Sequence, residues 1–212
     1  MLIAMAQLVD GYGVKPKAVL HVGAHLAEEA PDYQAAGVER VFWIEANQAL
    51  MPALQEQVAS FPGQRAVQAT VSDVNDEPVT LRLTTFSMAS SILPLKRHLD
   101  FYPSMPEIGG QLDMTTTVDM LLEQYGESPA FDMANLDVEG AELHVLRGMA
   151  SVMPSLRWIY TEVNHEEMYE GCVLVPHMDE YLAGFGFDRV AIQDAYVGSQ
   201  MMGFADALYA RV

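Results

Sequence analysis

Three carboxylates fall within six residues in Asp137-Val138-Glu139-Gly140-Ala141-Glu142. Such a concentration can hold a cation, and it can take the proton of a reactive hydroxyl. One acid there has a plainer use, because Asp137 can cap a following helix and acids favour a helix amino terminus. Capping accounts for one acid more readily than for three. A fourth carboxylate, Glu45, stands 22 residues after Gly23. A separation of about 20 is that of an acid which accepts hydrogen bonds from ribose hydroxyls beyond a glycine turn.

The turn reads His21-Val22-Gly23-Ala24-His25, and glycine directly after a strand lets the backbone pass close to a ligand. It does not continue as G-x-G-x-x-G, since Leu26 and Ala27 follow His25. Pyrophosphate needs several close N–H groups at a helix start, so NAD and FAD are disfavoured and a ligand without phosphates is favoured. His21 and His25 would share a face only on a helix, and here they straddle a strand end and a loop, so no metal site is expected. Ser72-Asp73 offers hydrogen bonds to an adenine amino group or, equally, an ordinary turn.

These positions matter because each follows a segment that reads as a strand, and open α/β sheets bind ligands beyond the carboxyl ends of their strands. Strands are expected over 17–22, 40–45, 66–71, 79–83, 131–136, 156–163, 187–192 and 207–212. Helices are expected over 26–36, closed by Gly37; from Asn47 as N-cap to Val58; over Val118–Tyr125 between the Thr117 cap and the Gly126 stop; and over 141–149 and 177–183. Residues 84–114 carry Pro94, Pro103, Pro106 and Gly109-Gly110 with little periodicity, and so long a loop in a compact domain is usually functional. A substrate-side lid is expected there. Alternating strands and helices argue for an α/β domain with a mostly parallel sheet covered on both faces.

A chain of 212 residues suits one domain over its whole length. Its 29 acidic and 11 basic residues give a formal charge of −18, which opposes binding to DNA, RNA or anionic lipid. No apolar run approaches the roughly 18 residues of a membrane span, and the amino terminus does not read as a secretory signal. Cys172 is the only cysteine, which fits a reducing compartment, so the cytoplasm is the expected location. Met88, Met105, Met114, Met201 and Met202 suit either an adaptable pocket or irregular packing gaps, the second being favoured.

With those residues in place, the sequence resembles the FkbM family of methyltransferases over about its whole length, from Val19 to Arg211. His21 to Glu29 resembles the family's first cofactor motif, and Trp43-Ile44-Glu45-Ala46-Asn47 its ribose-binding second motif. Thr116 to Leu122 and Asn135 to Glu142 resemble its most recognisable block, with the D-V-E-G-A-E string as the most specific part. Ser90 to Leu93, His98, Tyr102-Pro103, Tyr160 to Asn164 and Tyr169 to Cys172 resemble a subgroup of that family.

The resemblance implies a Rossmann-like class I methyltransferase fold with a seven-stranded sheet, S-adenosylmethionine as cofactor, and O-methylation of a small-molecule or sugar hydroxyl. It places the cofactor against His21, Gly23, Ala24, His25, Glu45, Ala46, Ser72, Asp73 and Asp137. Asp137, Glu139 and Glu162 are the expected catalytic residues, and Ser90, Ser91, His98 and His165 the expected acceptor-binding ones. Ala27 departs from the family's usual glycine and would put a methyl group near the methionine end of the cofactor. Two other readings stand beside this one: a nicotinamide-dependent oxidoreductase on the same architecture, and a noncatalytic module that keeps the fold.

Overall fold

The computed structural model describes residues Met1–Val212. In chain order the elements are α1 (Met5–Tyr12), β1 (Ala18–Val22), α2 (Ala30–Ala35), β2 (Arg40–Glu45), α3 (Met51–Val58), β3 (Gln64–Gln68), β4 (Thr70–Val71) and β5 (Pro78–Thr84). There follow α4 (His98–Phe101), β6 (Glu107–Thr116), α5 (Val118–Tyr125), β7 (Met133–Leu136), α6 (Glu142–Arg147), β8 (Trp158–Asn164), α7 (Val175–Ala183), β9 (Phe187–Val197) and β10 (Gln200–Arg211). No helix is long and apolar enough to cross a membrane.

The central strands are apolar on both faces, and the two alternating sets bury into different clusters. Leu20, Val22, Phe42 and Ile44 join a core of 28 buried residues with α5, α6 and α7, whereas Val19, Val41 and Trp43 join one of 19 with α1, α2 and α3. Each face of the sheet is therefore roofed by three helices. The seven strands run in the order β3-β2-β1-β7-β8-β10-β9, parallel except for β10, which is antiparallel to both neighbours. Chain order reverses across β1, so the crevice beyond β1, β2 and β7 is the natural ligand site.

Several local signals act as the sequence suggests. The Thr117 hydroxyl accepts from the Met120 N–H at 3.2 Å, and Gly126 ends α5 in the left-handed region at φ 64°. Elsewhere tertiary contacts shift the boundaries. The helix expected over 26–36 shrinks to Ala30–Ala35 because His25 and Ala27 take positive φ, 43° and 57°, and hold a loop instead. The last two strands extend into one long hairpin that turns at Gly198, and α1 has no counterpart among the sequence expectations.

Residues 84–114 are not the unstructured lid expected of them. Glu107–Thr116 forms β6, which pairs antiparallel with β5 and parallel with β4 in a separate three-stranded sheet. Its period-2 pattern is inverted relative to an ordinary half-buried strand. Ile108, Leu112 and Met114 face outward, while Gln111 and Asp113 bond inward to Ala46 O, Gln68 and Thr70. A Cβ at Gly110 would come within 2.6 Å of Thr80 Cγ2, so a larger residue there would have to displace that side chain. Only 85–106 remains mostly irregular, and it supplies walls to the cavities described below.

Gly23 marks the tightest point of the sheet end. It has φ 87°, and a Cβ would lie 1.7 Å from the carbonyl oxygen of Asp137, on the neighbouring strand end. We expect Gly23→Ala to cost at least about 3 kcal/mol, because backbone must move. Gly37→Ala, at φ 79° with nothing within 4 Å, should lose only the left-handed strain of about 1 kcal/mol. Urea midpoints of the two variants measure the difference.

Beneath that turn, His21 is buried between Trp43, at a ring-centroid distance of 4.4 Å, and a polar pair on the far side. Asn135 Nδ2 donates to the Tyr33 hydroxyl at 2.8 Å, and that hydroxyl donates to His21 Nδ1 at 3.0 Å. A ring that accepts at Nδ1 is neutral, and burial pushes its pKa down from 6.5 to about 4. Between those values the unfolded chain binds a proton that the folded chain refuses, so this residue's stabilisation is present above pH 6.5 and is lost as pH falls toward 4. The gap in unfolding free energy between wild type and His21→Phe should therefore shrink on acidification through that window, by roughly 1.4 kcal/mol per pH unit. Urea melts at stepped pH test the slope.

Candidate active site

A cleft of about 910 Å³, part of it open to solvent, lies beyond the carboxyl ends of β1, β2 and β7. Its floor is the turn from His21 to His25, and Glu45-Ala46 closes one side. Glu45 both lines the cleft and braces it: one carboxylate oxygen accepts from the His25 N–H at 2.8 Å and the other from the Asn47 N–H at 2.6 Å. Burial raises its pKa, against the opposing pull of those amide bonds. The apolar wall comes from Ile44, Ala69, Val71, Leu81 and Ile92.

His25 ties the turn to the irregular segment above it. Its Nδ1 pairs with Glu28 at 2.7 Å and its Nε2 with the Ser87 hydroxyl at 2.9 Å. Ser90 and Ser91 sit in the same wall, and the Ser91 hydroxyl donates to the carbonyl of Glu139 at 2.7 Å. Glu28, Glu29 and Ser87 line the cleft without having been picked out from the sequence. Glu28 and Glu29 do fall in the motif stretch, but their type alone resembles any solvated helix start.

The acidic string divides its labour. Glu142, fully buried, accepts from the N–H groups of Val138 at 3.2 Å and Gly140 at 2.9 Å, so it, and not Asp137, satisfies the amides of this turn. Burial pushes its pKa up to about 7. Asp137 and Glu139 instead face the cleft. Asp137 is crowded by protein yet open to the cavity, and that enclosure, with Asp206 next in weight, raises its carboxyl to about 7. Glu139 is held at φ 55°, next to Gly140 at 93°; its carboxylate accepts from the Tyr169 hydroxyl, and burial followed by Asp137 keeps its pKa well above the usual range. For a glutamate, though not for the glycine beside it, that conformation is costly and persists where the surroundings over-determine it.

A second cavity of about 920 Å³ adjoins the first, and Asp137, Glu139 and Met88 line both. Its walls include His98, Tyr102, Met105, Tyr169 and Phe204, so Met88 and Met105 serve a pocket where gap filling was the favoured use. Glu162, from the end of β8, faces this cavity, and oxygens of Asp137, Glu139 and Glu162 lie within 4.8 Å of one another. Asp206 stands opposite Glu162 on β10 and accepts from the Leu2 N–H at 2.6 Å and from the Tyr160 hydroxyl. Neither it nor Tyr169 was singled out as a site residue from the sequence, since only strand pairing and folding over the cavity bring them there.

Three expected site residues lie elsewhere. Ser72 and Asp73 are outside the cleft: Ser72 donates to Asp73, which pairs with His144 at 3.1 Å, and Ala69-Thr70-Val71 occupy the wall instead. β3 ends at Gln68, three residues before the end of the strand expected over 66–71, so the ligand edge falls at Ala69 to Val71 and Ser72 and Asp73 lie past it. His165 pairs with Asp194 of β9 at 2.9 Å and lines neither cavity. His98 lines the second cavity, and Ala27, expected near the cofactor, turns its methyl into the 19-residue core.

Comparison with known proteins accords with this architecture. The description "Methyltransferase FkbM domain" matches residues 21–189. No curated protein matches the chain by sequence. Among solved structures, the ribosomal protein L11 methylase of Lactobacillus delbrueckii subsp. bulgaricus aligns at TM-score 0.54 and 13% identity, over 98% of this chain and 76% of that one. Magnesium protoporphyrin IX methyltransferase of Synechocystis PCC 6803, solved with bound SAM, aligns at 0.52 and 12%, over 98% and 76%. The 1,6-didemethyltoxoflavin-N1-methyltransferase of Burkholderia thailandensis, solved with bound 1,6-didemethyltoxoflavin and S-adenosylhomocysteine, aligns at 0.51 and 13%, over 99% and 76%. At such identities the likeness is one of fold, the class I methyltransferase fold, whereas the family match spans most of the sequence: this chain belongs to the FkbM methyltransferase family.

Proposed function

We propose that the chain binds S-adenosylmethionine in the first cleft and methylates a hydroxyl of a small molecule, such as a sugar, held in the second. The observation that carries this reading is the shared wall: Asp137 and Glu139 border both cavities, so a group carried in one can meet an acceptor in the other. The cleft suits the cofactor chemically. Glu45 is positioned for ribose hydroxyls, the Ala69–Val71 wall for a flat base, and Glu28, Glu29 and Asp137 for the amino group and the cationic sulfur. Five carboxylates, Glu28, Glu29, Glu45, Asp137 and Glu139, line it, and that concentration of negative charge speaks against a pyrophosphate-bearing nicotinamide cofactor. Because the Ala27 methyl lies in the core, the departure from glycine does not obstruct the cleft.

When bound, the cofactor supplies an electrophilic methyl group on positively charged sulfur. The protein's share is placement and proton handling. Glu139, held by Tyr169 and by the Ser91 bond to its backbone, is fixed toward the second cavity and accepts the proton of the acceptor hydroxyl. Asp137 sits between the two cavities and offsets positive charge there. His98, Tyr102 and Met105 shape the acceptor pocket, whose mixture of aromatic faces and carboxylates fits a hydroxylated organic molecule better than a polyanion.

Calorimetric titration with S-adenosylhomocysteine and NADH tests the cofactor assignment. We expect saturable binding of the first only, weakened at least about tenfold by Glu45→Ala, a loss of 1.4 kcal/mol or more. Binding of NADH alone would overturn the reading, and binding of neither would favour a noncatalytic module. For catalysis, Glu139→Gln should keep its homocysteine-adduct affinity while lowering turnover by about 10²–10⁴-fold, read as adduct release with a panel of sugars and small alcohols.

A further inference from the structure

The lining of the second cavity is divided by element. Its carboxylates come from three neighbouring strands of the main sheet: Asp137 and Glu139 just past β7, Glu162 on β8 and Asp206 on β10. Its bulky apolar side chains come mostly from elsewhere: Phe86, Met88 and Met105 from the irregular segment, Met168 from the loop after β8, and Phe204 from β10. Of the residues that 85–106 contributes, only His98 and Tyr102 have polar side chains. The acidic end has one opposing charge, the ammonium of Met1, a residue that lines both cavities and pairs with Glu29 of the first at 3.3 Å.

Hydrogen bonding to a guest is one-sided in consequence. Asp206 already accepts from the Leu2 N–H and the Tyr160 hydroxyl, and the Tyr169 hydroxyl is spent on Glu139. A molecule ringed by hydroxyls, as a free sugar is, could pair those on its acidic side but would press the others against thioether and phenyl groups, and a hydroxyl stripped of water without a partner weakens binding. The apolar wall suits a flat ring instead. Three methionines adapt to the shape of a guest, and their sulfurs are favourable neighbours of aromatic rings. His98, only 4% exposed, has its ring centroid 5.1 Å from that of Tyr102 and 5.6 Å from that of Tyr169, and burial lowers its pKa, so a neutral ring adds one more aromatic face. The N–H groups of Lys96 and His98 donate to the Met168 carbonyl at 2.9 and 3.1 Å, which holds the two sides of this wall together before any guest enters.

We infer that the second cavity selects acceptors with an aromatic body and a hydroxyl-bearing edge, such as aryl alcohols and aryl glycosides, over free sugars and over anions. The hydroxyl edge lies against Asp137 and Glu139, and the aromatic body against Met105, Met168 and Phe204. Four carboxylates facing a single ammonium oppose a phosphate or carboxylate on the acceptor. The inference narrows the methyl-transfer reading and rests on it, because the hydroxyl at the acidic edge is the group that reading methylates.

The test is calorimetric titration of the full chain, saturated with S-adenosylhomocysteine, with three matched probes: phenyl β-D-glucoside; methyl β-D-glucoside, which lacks the ring; and phenyl β-D-glucuronide, which adds a carboxylate. The phenyl glucoside is expected to bind at least about tenfold more tightly than either of the others. Met105→Glu puts a charge on the apolar wall and should erase the preference for phenyl over methyl, while affinity for S-adenosylhomocysteine stays within about twofold, since Met105 does not line the first cleft. Equal affinity for the two glucosides, a glucuronide bound as tightly as the phenyl glucoside, no binding of the phenyl glucoside, or a preference that survives Met105→Glu in a variant with wild-type circular dichroism would overturn the inference. A chain that does not take up S-adenosylhomocysteine strikes the methyl-transfer reading instead, and the same three titrations on the unliganded chain then decide the preference of the cavity.

Discussion

The approach of Gly23 to the Asp137 carbonyl is the constraint on which the site depends. Parallel neighbours in a sheet lie about 4.8 Å apart, so the chain leaving β1 must cross directly before the end of β7. Only a residue without a Cβ, able to take φ 87°, can make that crossing. Once it is made, the turn presents His25 N–H to Glu45 on one side and leaves Asp137 facing the cleft on the other. The two cavities meet where they do because these strand ends are locked together.

That arrangement gathers acids against their electrostatic preference. Glu45, Asp137, Glu139, Glu142, Glu162 and Asp206 all have carboxyl groups raised by burial. Their environments nonetheless differ in kind. Glu45 spends both its oxygens, and Glu142 one of its two, on backbone amides, and the pair serve as braces, whereas Asp137, Glu139 and Glu162 line the cavities. Tyrosine hydroxyls from distant parts of the chain, Tyr160 and Tyr169, donate to Asp206 and Glu139 and fix their orientation without neutralising them. A cationic ligand would relieve the crowding that folding creates.

Much of the frame was legible because it is written in local chemistry. The Thr117 cap, the Gly126 stop and the continuous apolar runs of the inner strands are short-range signals, and burial on two faces demands those runs. The segment at 84–114 was misread because its strand hides glycines and faces its apolar side outward, so the usual alternation pointed nowhere. Among the residues expected at the site, those in the turn after β1 and at the ends of β2 and β7 line the cleft, as their position after predicted strands suggested. Ser72, Asp73 and His165 could not, because one or two residues of strand length decide whether a side chain reaches the ligand edge.

The sequence by itself therefore determined the alternating strands and helices, the glycine turn, and the acids at the strand ends. Each depends on residues within one turn or one strand of each other. Tertiary structure alone decided which acids became braces and which stayed free, that the Ala27 methyl enters the core, and that Glu162 and Asp206 face each other. It also set Tyr169 against Glu139, far from it in the chain. Those outcomes rest on sheet order and strand register, which join residues far apart in the chain, and no local pattern specifies such pairings.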